Sequence, residues 1–285
     1  MRSTSRGDAK PHSEGGTGMK EKIREIGLEL GADAVGFAAA TDYRSPLSPP
    51  LDTIFPGAAT LIVLAFREGS HCESPNMSIA MGGRLGISDF IKSTTHKLSR
   101  VVERDCGARA MMMPLSYPMT ISPESKFGLI ADFSHRHAAV AAGLGNWGRH
   151  NLVVHPTLGA RVLFSTILTD LAIPPDAPVT VEVCTNCRLC VKHCPAGALD
   201  EEGKTDQMKC LSHSQPYGTG ATIRFWTRFV DSSSEQQKEM LRSVDFMRLR
   251  QASFLGLQYH CFSCYAVCPI GKDKGQLGPV NSNNN

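Results

Sequence analysis

The sequence has no apolar run near the roughly 20 residues that a membrane-spanning helix needs. Its first eighteen residues are polar and carry neither an Arg-Arg pair nor an apolar stretch. No secretory or twin-arginine leader is therefore expected there, and the segment reads as a disordered leader of a cytoplasmic protein. Charge of one sign is not in excess either: 30 basic against 27 acidic side chains leave a formal net charge of +3. That balance does not imply nucleic-acid binding by itself. A Walker phosphate loop, an H-E-x-x-H zinc helix and a Ser-nucleophile elbow are all missing, which argues against a kinase or a hydrolase.

What the chain does have is an ordinary hydrophobic fraction, 41 %, over 285 residues. That is enough for one large domain, or for a domain with a smaller module. It also has ten cysteines, eight of them between Cys184 and Cys268. In a compartment that keeps thiols reduced, such clustering points to metal rather than to disulfides.

The pattern ahead of the cysteines alternates helix and strand. Ile23, Ile26 and Leu30 share a face of a helix over 19–30, with Gly31 suited to its stop. Strands are predicted over 34–38, 60–66, 108–113 and 161–170. A helix is predicted over 88–106, and another begins after Ser134 as its cap and runs to Ala142. The Met- and Gly-rich stretch 77–86 predicts no element. Ser232 with Glu235 reads as a capping box, opening a helix that continues through Met240, Val244 and Met247. Pro174, Pro175 and Pro178 mark a boundary. The expected organisation is a leader over 1–18, an α/β (α+β) domain over 19–180, a cysteine module over 181–270 and a disordered tail over 271–285.

Cys184, Cys187, Cys190 and Cys194 have the spacing C-x2-C-x2-C-x3-C and are followed by Pro195. This is the bacterial ferredoxin run, whose fourth cysteine ligates the other cluster in two-cluster proteins. Cys261, Cys264 and Cys268, followed by Pro269, repeat its end but lack one early cysteine, and Cys210 lies between the runs to fill the gap. Two four-cysteine sites then close without remainder. Cys184, Cys187 and Cys190 take Cys268, and Cys261, Cys264 and Cys210 take Cys194. The module is thus expected to be ferredoxin-like, with two [4Fe–4S] clusters. The alternative, two zinc sites of four cysteines each, fits poorly, because zinc ribbons use C-x2-C pairs and not a three-cysteine run ending in C-x3-C-P. Cys72 and Cys106 are left over and read as small buried hydrophobes.

Three blocks together resemble the epoxyqueuosine reductase and reductive dehalogenase family. They are residues 23–37, Ile-Arg-Glu-Ile-Gly-Leu-Glu-Leu-Gly-Ala-Asp-Ala-Val-Gly-Phe; residues 142–148, Ala-Gly-Leu-Gly-Asn-Trp-Gly, continuing to Leu168-Thr-Asp170; and the cysteine set with its lone Cys210. The resemblance implies a cobalamin beside the clusters, a reductive removal of oxygen or halogen, and a low-potential electron donor such as ferredoxin or flavodoxin. It implies that Gly143, Gly145 and Gly148 approach the corrin closely, glycine offering no Cβ to obstruct, and that Ser212 lies near it. The plainer reading of the three glycines is a helix C-cap with a turn.

The chain departs from the family at two places. Where epoxyqueuosine reductases carry a catalytic Asp, it has Pro114-Leu-Ser-Tyr-Pro118. The expected proton donors are accordingly Tyr117, by likeness to the dehalogenases, or Asp132, against the plainer reading of both as structural. It also stops soon after Cys268, without the tRNA-gripping repeats, which puts tRNA as substrate in doubt and leaves a small-molecule substrate open. His135, Arg136 and His137 could contact a phosphate or the corrin, though a solvated helix start is the preferred reading. His260 could tune the neighbouring cluster. The competing reading of the whole chain is an electron-transfer partner with no substrate chemistry of its own. The size of the N-terminal domain favours the enzyme, since ferredoxin modules fold around their clusters with little core.

Overall fold

The computed structural model describes residues 16–115, 119–126, 128–200 and 204–272. Tyr117 and most of the two end segments fall outside them.

Helix α1 (Gly16–Glu29) stops at Gly31, whose φ of 103° suits glycine and whose bare Cα leaves room for the Phe90 ring. Strands β1 (Ala34–Ala39) and β2 (Thr60–Arg67) follow, then the thirty-residue helix α2 (Met77–Cys106) and the short strand β3 (Ala110–Met112). Helix α3 (His135–Ala141) leads into β4 (Asn146–Trp147), β5 (Val153–Val154) and β6 (Val162–Thr169). The main sheet has the order β1-β2-β6-β3, with every neighbouring pair antiparallel. The domain is therefore of the α+β kind: β1 and β2 are joined by a loop rather than by a crossover helix.

Both faces of the sheet are covered, so its central strands are apolar without interruption. Along β2 the pleat sends Leu61, Val63 and Ala65 into the core under α3, and Ile62, Leu64 and Phe66 into the core under α1 and α2. Helix α2 runs straight through the stretch for which the sequence predicted nothing. Asn76 caps it by accepting from the amides of Ser78 and Ile79. Its glycines cost helix propensity, but a Cβ on Gly83 would strike the His71 ring.

Beyond β6 the proline-rich connector is pinned to the sheet domain. Asp176 takes the Phe37 amide at 2.9 Å and an ion pair from Lys20 at 2.7 Å. Asn146 donates to the carbonyls of Val179 and Val181. The module then contains the one-turn α4 (Leu189–Lys192), α5 (Gln207–Ser214), α6 (Thr219–Val230), α7 (Ser234–Arg242), α8 (Val244–Leu255) and α9 (Ser263–Val267). Two expectations are corrected here. The capping box is Ser233 with Gln236, one residue later than predicted. The helix through Met240 and Val244 is also two helices, because Ser243 takes an extended conformation (ψ 155°) and caps α8 through the Phe246 amide.

Candidate metal centre

The first cysteine run folds as a loop that curls on itself. Asn186 and Arg188 both take left-handed conformations, with φ of 52° and 60°. For Arg that is a strained choice, of a kind that concentrates at functional sites. The two reversals bring Cys184, Cys187 and Cys190 around one recess, and Cys268 with Pro269 and Ile270 closes its far side. Arg149 holds the loop from outside through Nε and Nη2, both donating to Asn186 Oδ1 at 3.2 and 3.1 Å.

The electrostatics of the thiols fall into two sets. Burial raises the Cys268 thiol, and the charges of Cys187 and Cys184 raise it further. Burial likewise raises Cys190, with Cys184 and Cys187 adding to it. Cys210 is raised by burial and then by Cys261 and Cys194. Cys264 is pushed to about 12, by burial first and then by Cys261, Cys194, Cys190 and Cys210. Cys190, Cys194 and Cys264 share a small apolar cluster with Leu199 and Val267, so the two sets adjoin. Thiols held neutral in this way ionise only when a cation takes the place of their protons, and iron bound through thiolate is the chemistry such a donor set fits. Among the described residues no three His, Cys, Asp or Glu side chains converge closely enough to hold a single ion.

The residues assigned to the corrin present a different picture. Gly143, Gly145 and Gly148 have the spacing Gly-x-Gly-x-x-Gly, but they follow a helix and lead into β4, not the strand-to-helix order of a dinucleotide site. Gly143 has φ 69°, and a Cβ on it would strike the Ala177 carbonyl; a Cβ on Gly145 would strike that of Val154. Beside Gly148 lies the His150 ring. These glycines let the chain pack against itself. Ser212 Oγ donates to the Met208 carbonyl at 2.6 Å, within α5. A groove of about 580 Å³ lies beside Tyr43, Arg44, Leu51 and Asp52.

Of the two expected proton donors, Tyr117 lies outside the described residues. Asp132 accepts from the Met119 and Thr120 amides at 2.7 and 3.3 Å. Burial pushes its carboxyl up, but the Thr120 hydroxyl and these amides outweigh it, so it stands below its ordinary value and ionised at neutral pH. The histidines are not a solvated helix start. His135 donates through Nε2 to the Pro114 carbonyl (2.9 Å) and accepts at Nδ1 from Thr166 (3.0 Å), neutral because burial lowers its pKa. His137 bonds Ser134, and Arg136 and His137 both pack on Trp147. His260 spends Nε2 on the Leu257 carbonyl.

Sequence reasoning missed His150. Its ring is buried in the wall of the first recess, with Nδ1 taking the Leu152 amide and its pKa lowered to about 4 by burial. It also missed Arg84 of α2. The available signal was that Arg84 is the one charged residue in the stretch 77–88.

This sheet domain and its cysteine module define an iron–sulfur protein, and residues 177–200 match the 4Fe-4S binding domain family. Over 90 % of its length the chain is similar to epoxyqueuosine reductases: 37 % identical to that of Staphylococcus aureus and 24 % to that of Bacillus cereus, and it covers 65 % of either protein. It is 35 % identical to the Escherichia coli enzyme over 68 % of the chain and 56 % of that protein. The chain thus spans between 56 % and 65 % of the length of these relatives. Its fold is that of a Bacillus subtilis epoxyqueuosine reductase (TM-score 0.59, 18 % identity, 91 % of this chain and 67 % of that one). It matches an epoxyqueuosine reductase solved with a tRNA-Tyr epoxyqueuosine-modified stem loop (0.52, 18 %, 70 % and 57 %). A reductive dehalogenase described in terms of B12-dependent dehalogenation also matches (0.52, 21 %, 72 % and 30 %). The resemblance read from the three sequence blocks is borne out: the chain is similar to epoxyqueuosine reductases and has the fold they share with reductive dehalogenases. Among the described residues no helix is long and apolar enough to cross a membrane.

Proposed function

We propose that the chain is an iron–sulfur oxidoreductase of the epoxyqueuosine reductase kind, carrying two [4Fe–4S] clusters. The observation that supports this best is the meeting of Cys268 with Cys184, Cys187 and Cys190 around one recess, the crossed arrangement of a two-cluster ferredoxin run. Cys184, Cys187, Cys190 and Cys268 would hold one cluster, and Cys194, Cys210, Cys261 and Cys264 the other. Bound there, such clusters pass electrons singly. The protein's part is to bury Cys190 and Cys268, to hold the curled loop through Arg149 and Asn186, and to keep the two ligand sets adjoining around Cys190, Cys194 and Cys264.

Cobalamin is proposed as a further cofactor on the likeness to the B12-dependent dehalogenase. Gly143, Gly145 and Gly148 offer no cradle on their Cβ sides, where the chain's own atoms stand, while Ser212 is exposed; no step is drawn through the cofactor. Tyr117 is the proposed acid, since an ionised Asp132 has no proton to give at neutral pH. The doubt about tRNA gains no support from a relative solved with a modified tRNA stem loop; an epoxyqueuosine-bearing stem loop is the proposed substrate, and a low-potential ferredoxin or flavodoxin the proposed donor. The alternative, a redox partner without substrate chemistry, draws on the apolar side chains left uncovered on α6 and α8, Val230 and Phe254 above all.

The test is turnover of the stem loop by anaerobically reconstituted protein under a reduced donor, with cobalamin added and withheld. Product formed only with cobalamin supports the full reading. Loaded protein that oxidises the reduced donor yet never converts the stem loop overturns the enzyme in favour of the redox partner.

A further inference from the structure

We propose that Glu68 and Arg84 form a buried ion pair that positions helix α9 against the sheet and sets the reduction potential of the cluster held by Cys261 and Cys264. This rests on the two-cluster reading above.

Glu68 stands just past the end of β2 and is 2 % exposed. Arg84 reaches it from α2 through Nε. The Arg84 guanidinium lies over three rings at once, with its carbon 5.0 Å from the centroids of Phe262 and Tyr265 and 6.0 Å from that of Tyr259. Those rings alternate in sequence with the ligands Cys261 and Cys264. Arg84 is thus in contact with the three rings that flank the ligand cysteines in sequence. A second clamp runs in parallel. The Glu68 amide bonds the Arg161 carbonyl at 2.9 Å, and Arg161 Nη1 donates to the Tyr265 carbonyl at 3.4 Å while pairing with Glu73 at 3.3 Å.

Removing two charges from water is costly, and a buried pair is commonly no more stable than apolar residues of the same volume. Packing alone does not explain this one. Guanidinium on aromatic faces is a rigid arrangement that lysine does not reproduce. Its charge sits on the ligand side, and Glu68 on the sheet side offsets it. A reduced cluster is one charge more negative than an oxidised one, so an uncompensated cation beside it favours reduction.

The experiment is a redox titration followed by electron paramagnetic resonance on Glu68→Gln, with iron counted per chain. Wild type holding fewer than two clusters would defeat the reading beneath the inference. With both clusters loaded, one midpoint is expected to move positive while the other stays. Midpoints that both stay, or that move together, overturn the inference. Should Glu68→Gln fail to load, Arg84→Lys is titrated instead. Its compact ammonium keeps the pair but withdraws charge from the rings, so one midpoint is expected to move negative, and an unmoved pair of midpoints again overturns it.

Discussion

Arg24 on α1 grips Asp176 in the proline-rich connector, its Nη2 lying 2.9 and 3.2 Å from the two carboxylate oxygens across 152 residues of chain. A segment that looks like a flexible boundary is thereby tied to the first helix and the first strand. Asp176→Ala leaves Lys20, Arg24 and the Phe37 amide without their partner. A loss of about 1.5–3 kcal/mol is expected from charge-assisted hydrogen bonds, read as a lower midpoint in denaturant.

The same carboxylate makes stability depend on pH. Burial pushes Asp176 up, but Lys20, Arg24 and the Phe37 amide outweigh it, and its folded pKa is lowered. A lowered folded value means that the contribution is fully present above the unfolded carboxyl pKa of about 3.9 and is lost as pH falls through the folded one. Melting followed from pH 7 to pH 3 should show a steeper acid decline in wild type than in Asp176→Asn. Equal slopes would place the acid sensitivity elsewhere.

Gly159 is the point where the end of the second cysteine run meets the sheet domain. It has φ 72°, and a Cβ there would strike the Ile270 carbonyl; Gly271, also at φ 72°, lies against Leu158 and Gly159 in return. Gly159→Ala is strained and obstructed together, costing more than about 1 kcal/mol. Because Ile270 is two residues from Cys268, the cluster using Cys268 should lose iron before the other. Uniform loss from both would contradict this docking role.

Cys210→Ser is expected to halve the iron content, from about eight to about four per chain on the two-cubane count, with the remaining signal that of the Cys184 set. Cys268→Ser should leave the complementary signal. Identical spectra from the two variants would contradict the assignment of ligands.

Much of this was legible in the sequence because the signals were local. The continuous apolar run of β2, the alternation of β6, the Ser134 cap and the C-x2-C-x2-C-x3-C run each depend on residues close together. What was missed depends on contacts between distant residues. The start of α2 looked like nothing because its glycines are helix-poor, and only that of Gly83 has a packing reason, the His71 ring set against it. The Gly143, Gly145 and Gly148 block looked like a ligand cradle because spacing does not reveal that Ala177 and Val154 fill its open sides. Ser243 interrupted an expected helix because it can cap the next one, a choice settled by packing and not by pattern.

Tyr117→Phe removes the proposed acid while keeping the ring. Turnover should fall by roughly 10²–10⁴, the usual worth of a positioned general acid, with substrate affinity little changed. Full activity in this variant would assign the proton to another group.

The central claim is that eight cysteines hold two cubanes. Iron and acid-labile sulfide, measured on anaerobically reconstituted and desalted protein, test it most directly. The account predicts about eight of each per chain, with the broad visible absorption of iron–sulfur clusters. About four of each, or zinc retained in place of iron and sulfide, would contradict it.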